Sequence, residues 1–196
     1  MIELENKTAL TAQLQELATH VMQVAKQRGA SAAEINIDKG TGLSTEVRMG
    51  SVDKLEYHRD QGAGITLYFG NRKGSASCGD LSPQALTDAV DAACRIARYT
   101  AEDAFNGLAD AELMATSWPD LDMYHPWDLN AEQAIERAKT TELIARDLDP
   151  RITNSDGSSV ESYAGMGLYA NSHGFMGVVH STQHSASCVL VGQDGE

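Results

Sequence analysis

Between residues 8 and 28 the apolar positions Leu10, Leu14, Leu17, Val21 and Val24 recur at steps of 4, 3, 4 and 3 residues. This spacing lines them along one stripe of an α-helix. Gly29 follows the last of them, with Lys26 and Arg28 in the final turn. A residue free to turn left-handed, preceded by cations at the negative end of the helix dipole, is a stop signal. The period then falls to two. Ile35 and Ile37 alternate with Asn36 and Asp38, and Leu55 and Tyr57 alternate with Glu56 and His58, which predicts half-buried strands. Gly40, Gly42, Gly50 and Gly62 divide the stretch up to Ser77 into four or five short runs, the punctuation of an antiparallel meander. Ile65-Thr66-Leu67-Tyr68-Phe69 is the most apolar run and is the predicted central strand.

Ser82-Pro83 opens a second helix, with Ser as N-cap and Pro at the first helical position, where its missing N–H costs nothing. Leu86, Val90, Ala93 and Ala97 form its buried face. Residues 100–130 hold Trp-Pro and His-Pro pairs and little periodicity, and are read as an extended connection. Asn130 and Gln133 form a capping box for a third helix that reaches about Leu148, with Ala134, Ala138, Ala145 and Leu148 facing inward. Strand patterns resume after Asp149-Pro150 and continue to Val191.

Residues 63–74 echo residues 164–174 once a single gap is allowed, matching Ala, Gly, Leu, Tyr, Asn and Gly in order. Each copy has Leu-Tyr followed by an Asn-x-x-Gly turn. The prediction is an α+β fold of two α-then-β units, about residues 1–100 and 130–192, joined by a linker at 101–129. Either unit alone would leave a sheet face bare. Side by side they can share one mainly antiparallel sheet with the helices packed on one face. Residues 191–196 follow a strand with no closing helix, so the expectation is one amino-terminal domain over 1–196 with a carboxy-terminal domain absent from the sequence.

Charge narrows the partners. Fifteen Lys and Arg against 28 Asp and Glu leave a net charge of −13, a field that repels phosphate backbones and anionic lipid headgroups. Direct nucleic-acid contact is therefore not expected. Nowhere do 18 consecutive apolar residues occur, and the first seven residues lack a basic segment leading into an apolar one, so no membrane span or export signal is predicted. Cys78, Cys94 and Cys188 match neither a CxxC metal pair nor a disulfide framework. Free thiols of a cytoplasmic protein fit best.

No catalytic constellation emerges. His180 and His184 are four residues apart, but their surroundings favour strand, where that spacing spans about 13 Å, too far for one ion. His173 reads as a turn residue, and His20, His58 and His125 as satisfied or solvated groups. There is no Gly-x-Ser-x-Gly, no HExxH, no Walker sequence and no third glycine after Gly62 and Gly64. The acids Glu102, Asp103, Asp110, Glu112, Asp120 and Asp122 read as a solvated loop. Cys78 and Cys94 read as small buried hydrophobes, and Cys188 as one position of a strand. The expected catalytic, cofactor-binding and metal-ligand residues of this chain are thus none.

Several segments nevertheless carry a resemblance: Gly64-Ile-Thr-Leu-Tyr68, Asn71-Arg-Lys-Gly-Ser-Ala-Ser77, Asp80-Leu-Ser-Pro83, Ile96-Ala-Arg-Tyr-Thr100, Gly107-Leu-Ala-Asp110, Pro119-Asp-Leu-Asp122, His125-Pro126, Arg151-Ile-Thr-Asn154 and Asn171-Ser-His-Gly174. Together, and in this order, they resemble the amino-terminal region of the TldD/PmbA peptidase family on its PmbA (TldE) side, formerly called modulators of DNA gyrase. The resemblance implies a cytoplasmic metallopeptidase assembly. In it a TldD-type subunit carries zinc on an HExxxH helix beyond its amino-terminal domain, and a PmbA-type subunit lacking that motif pairs with it around a chamber. It also implies action on flexible peptides, including maturation of a microcin precursor and degradation of an antitoxin. For this chain the implied role is a non-catalytic wall and pairing surface, whose partners are a TldD-type subunit or a second copy, and unfolded peptide laid along a sheet edge at 65–77 or 167–191. The alternative is a free-standing binding or regulatory module, including an indirect effect on gyrase.

Overall fold

In the computed structural model, which describes residue 4 and residues 6–195, the first helix is α1 (Lys7–Gln27). The rest of the amino-terminal stretch inspected for an export signal, and residue 196, lie outside the described residues. Asn6 caps α1 by accepting from the Ala9 N–H at 3.2 Å, and Gly29, at φ 81, ends it. Three strands follow: β1 (Ala32–Arg48), β2 (Ser51–Phe69) and β3 (Arg72–Cys78). Helix α2 (Pro83–Tyr99) begins at the expected Ser82 cap, which accepts from Ala85 N–H at 3.3 Å. Helix α3 (Ala131–Arg146) has the expected capping box: Asn130 and Gln133 each accept the other's backbone N–H, at 2.8 and 3.0 Å. Strands β4 (Ile152–Asn171) and β5 (Met176–Gly192) complete the chain.

The five strands form one antiparallel sheet in the order β3-β2-β1-β4-β5. The central strand is β1, which corrects the expectation that 65–69 would be central. The four or five short runs are also corrected: β1 and β2 extend over 17 and 19 residues and pass straight through Gly40, Gly42 and Gly62. Those glycines are ladder positions, paired with Asp60, His58 and Asp38. Of the four glycines only Gly50 lies in a turn, where the Met49-Gly50 pair has φ 51 and 76, the two positive values that let a two-residue hairpin follow the strand twist.

All three helices lie on one face. Under α1 and α2, Ile35, Ile37, Ile65, Leu67 and Leu168 are buried against Leu14, Val21, Leu86 and Val90. Burying each such side chain contributes roughly 1.5–3 kcal/mol. A second cluster under α3 joins Leu43, Val47 and Val160 to Ala134, Ala138 and Leu129. At Gly74 of β3 the α2 backbone comes so close that an added Cβ would stand 2.5 Å from Ala97 N and nearer still to Ala93 O. Leu148, expected inward, is 76% exposed. The helix stops at Arg146 with Asp147 as its cap, so the periodicity that would have turned Leu148 inward has already ended.

Residues 100–130 contain no regular element beyond a short 3-10 turn at Ala111–Leu113. The connection is nonetheless tied down. Asp103 N–H donates to Asn71 O at 3.1 Å, and Thr182 N–H of β5 donates to Met123 O at 2.9 Å. It thus crosses the end of the sheet and straps the edge of β5.

Candidate functional site

Among the described residues no helix covers the second face of the sheet. The period of two puts Glu34, Asn36, Asp38, Gly40 and Gly42 of β1 on this side, opposite the core residues Ile35 and Ile37. Its middle is a glycine floor under one aromatic ring. The ring of Tyr163 on β4 lies where the side chains of Gly40 and Gly165 would be: an added Cβ on Gly165 would sit 2.7 Å from Tyr163 Cε1, and one on Gly40 would overlap the phenol oxygen. Burial, and secondarily the nearby Asp60 and Asp38 carboxylates, push the Tyr163 hydroxyl above its usual pKa. Gly40 and Gly42, read as turn signals, are therefore places where a ring must approach the backbone.

Beside this floor lies a polar groove of about 300 Å³ formed by β1, β2, β4 and β5. Ser44 Oγ and His58 Nε2 are 3.0 Å apart, Lys54 pairs with Glu56 at 2.9 Å, and Ser185 donates to Glu161 Oε2 at 3.2 Å. The groove therefore offers donors and acceptors at several heights, the equipment for binding a polar chain. A hydroxyl beside an imidazole is by itself only part of a nucleophile, which also needs a third group to orient the base and donors for an oxyanion.

Toward the other end of the same face, Tyr68 of β2 and Tyr169 of β4 donate to the two oxygens of Glu34 on β1 at 2.8 and 3.0 Å. Burial first, and then the bond to Glu34, push Tyr68 up to about 12. Asn171 Nδ2 donates to the Tyr169 hydroxyl at 3.3 Å. Phe175 packs between Tyr169 and Trp118, at centroid distances of 5.8 and 5.2 Å, bringing the connection onto this end of the sheet. Both tyrosines are the matched Tyr of the internal echo, so the echoed segments flank β1 from opposite sides. The single-residue reading had missed Glu34; the repeated Leu-Tyr was the signal that could have found it.

A second carboxylate went unnoticed. Glu142 of α3 is 1% exposed and accepts from the Met49 and Gly50 N–H groups at 2.8 and 2.7 Å. Burial opposes its charge, but hydrogen bonds from Ser155 and those two N–H groups, with Arg146 nearby, outweigh burial and hold its pKa below the usual value. It lies four residues beyond Ala138 on the inward stripe, where a charge signals a specific buried partner. Its partner is the strained hairpin turn, so its role is in the fold.

The histidines disperse. His20 bonds Thr87 Oγ1 at 3.0 Å between α1 and α2, and His125 lies 2.6 Å from Asp122 O. His173 occupies the β4–β5 turn. His180 and His184 are both on β5, as the strand reading had it: His180 contacts Thr11 Oγ1 at 3.4 Å, and His184 Nδ1 contacts Ser162 Oγ at 3.0 Å. Burial, then the Lys7 charge, lower the pKa of His180. Cys94 is buried in α2, while Cys78 and Cys188 are half-buried. Among the described residues no three His, Cys, Asp or Glu side chains gather as a metal-binding group, and no helix is long and apolar enough to cross a membrane.

Comparison with known proteins gives the family. The profile of PmbA/TldA metallopeptidase domain 1 matches residues 33–97, and that of the PmbA/TldA metallopeptidase central domain matches residues 124–196. The chain is 43% identical over 184 residues to Metalloprotease PmbA of Escherichia coli O157:H7, covering 93% of this chain and 41% of the relative. It is also 43% identical over 192 residues to a Metalloprotease PmbA homolog of Haemophilus influenzae, covering 96% of this chain and 42% of that one. It therefore spans about two fifths of the length of these curated relatives. The fold is similar to a crystal structure of a modulator of DNA gyrase from Bacteroides thetaiotaomicron, with TM-score 0.80 and 29% identity over 91% of this chain and 41% of that one. It is also similar to TldE from Thermococcus kodakarensis, with TM-score 0.67 and 14% identity over 91% of this chain and 40% of that one, a likeness of fold alone. With two domains of one family matched in order and 43% identity along nearly the whole sequence, the chain belongs to the PmbA/TldD family.

Proposed function

We propose that this chain is the non-catalytic amino-terminal part of a PmbA/TldE-type subunit in a cytoplasmic zinc metallopeptidase assembly that processes or degrades flexible peptides. The observation that carries the reading is the 43% identity, over 93% of the chain, to a protein named a metalloprotease. On this reading zinc and cleavage belong to a TldD-type partner, and the present chain supplies wall and pairing surface. The helix-free face supports a part in peptide contact: its groove offers Ser44, His58, Glu161 and Ser185 beside an open sheet edge. An extended peptide can use such an edge through backbone hydrogen bonds, which read chain conformation rather than sequence.

Of the two segments expected to receive peptide, 65–69 and 167–171 are interior, paired on both sides. The edge positions within them are β3 and β5. Hydrogen exchange on the mixture of this chain, a TldD-type subunit and an unfolded peptide tests the reading. Slowed exchange in β3 or β5 on adding peptide is expected; slowing confined to other segments would remove the peptide-contact role.

A second reading, a regulatory module acting on gyrase through protein contact, is favoured by one observation, the name of the Bacteroides thetaiotaomicron neighbour. A net charge of −13 turns that reading toward protein contact and away from DNA.

A further inference from the structure

On the helix side of the sheet the apolar pattern breaks at one level. Along β1 the inward positions run Ala33, Ile35 and Ile37, then Lys39 and Thr41, then Leu43. Along β2 they run Leu67, Ile65 and Ala63, then Gln61 and Arg59. The register sets the two breaks side by side, with Lys39 across from Gln61 and Thr41 across from Arg59. The core divides here: Ile37 and Ala63 belong to the cluster under α1 and α2, and Leu43 to the cluster under α3. Four polar side chains thus stand where the strand period calls for core.

The break opens into a cavity of about 1120 Å³ whose other wall is the first half of α1, at Leu10 and Gln13. Tyr57 stands on its β2 side and is 65% exposed. The volume is above the roughly 300–1,000 Å³ of a small-molecule site and suits a segment of chain. Lys39 and Arg59 are diagonal neighbours on one face, a spacing of about 7–8 Å. Among the described residues neither is held in an ion pair. Asp60 borders the cavity as well, but its place opposite Gly40 and near Tyr163 assigns it to the helix-free face.

We propose that this notch binds an acidic stretch of an extended peptide, with Lys39 and Arg59 each taking one carboxylate and Thr41, Gln61 and Gln13 supplying hydrogen bonds to its amides. Alternate residues of an extended chain lie about 7 Å apart on the same side, so acids at positions i and i+2 match the spacing of the two cations. A nucleic-acid backbone fits poorly, because it needs a long run of cations and meets a net charge of −13. The inference rests on the peptide-contact reading and deepens it by naming a preferred sequence. Its site lies on the opposite face of the sheet from the groove around Ser44 and His58.

Fluorescence anisotropy on this chain, without the partner subunit, tests it with a short labelled peptide carrying Glu-Ser-Glu between flexible ends. Net charge alone would make the chain favour the Gln-Ser-Gln counterpart. The expected result is the reverse, with the Glu peptide bound at least about tenfold more tightly. Lys39→Gln and Arg59→Gln should each remove most of that preference with thermal unfolding unchanged, and Lys39→Arg should keep it. Lys26→Gln, at the other end of α1, should leave it unaltered. Failure of both peptides to bind, equal binding of the two, or a preference that survives both Gln substitutions overturns the proposal. So does equal binding of a single-stranded oligonucleotide. Slowed exchange in β3 or β5 with no Glu preference would overturn this site and sustain the peptide-contact role at the sheet edges; a Glu preference that depends on Lys39 and Arg59, with β3 and β5 unaffected, would do the opposite.

Discussion

Tyr68 and Tyr169, on strands separated by β1, donate to different oxygens of the same Glu34 carboxylate. Tyr68 pairs across from Ala32, and Tyr169 across from Asn36, so the two reach Glu34 from positions two residues to either side of it. The echo in the sequence thus becomes a clamp across the centre of the sheet.

Tyr68 gives this clamp a pH signature. Its pKa stands at about 12 against 10.0 for an ordinary tyrosine. A raised folded value means stability that is full below pH 10 and is lost as the pH rises toward 12. Glu34→Ala should bring the Tyr68 transition down, read by phenolate absorbance, and its stability deficit against the parent should be full below pH 10 and narrow as the pH rises toward 12. An unchanged phenolate titration would mean that Glu34 does not perturb Tyr68.

Glu142 predicts the opposite end of the scale. Its depressed pKa means stability that is present above about pH 4.5, the ordinary glutamate value, and is lost as pH falls through the folded value. Glu142→Ala leaves two turn N–H groups without their acceptor and should cost about 3 kcal/mol near neutrality. The gap from the parent in urea unfolding should narrow in acid. An equal gap at both pH values would place the loss in packing alone.

Legibility in the sequence followed the length scale of the signal. The caps at Ser82, Asn130 and Gln133 and the stop at Gly29 are decided by neighbouring residues, and were readable. The extent of β1 was not. Gly40 and Gly42 belong inside a strand because Tyr163, more than a hundred residues away, needs the space their missing side chains leave. Likewise, that β1 and not 65–69 is central depends on β4 pairing with its free side. The helix-side core was visible as periodicity, but the groove around Ser44 and His58 was not, because its polar residues come from four strands.

The Tyr163 ring is the basis of a double-mutant test. Gly40→Ala forces a methyl group into the phenol and should destabilise by about 2 kcal/mol. In a Tyr163→Ala background the same change should cost much less, a coupling that thermal unfolding of the four proteins can measure. Additive costs would mean that the ring yields freely.

Gly74 and Gly64 give a paired prediction. A methyl at Gly74 meets the α2 backbone, whereas at Gly64 nothing lies within 4 Å. Gly74→Ala should therefore cost at least about 3 kcal/mol, because helix and strand must separate, and Gly64→Ala should be near neutral. Equal effects in urea titration would contradict the close α2–β3 contact.

A native mass spectrum tests the proposed subunit role. The chain is measured alone and mixed with a zinc-loaded TldD-type subunit, with peptide cleavage assayed on the same samples. The expected result is a stoichiometric complex, with chelator-sensitive cleavage only where the TldD-type subunit is present. Chelator-sensitive cleavage by this chain alone, or no complex at any ratio, would contradict it.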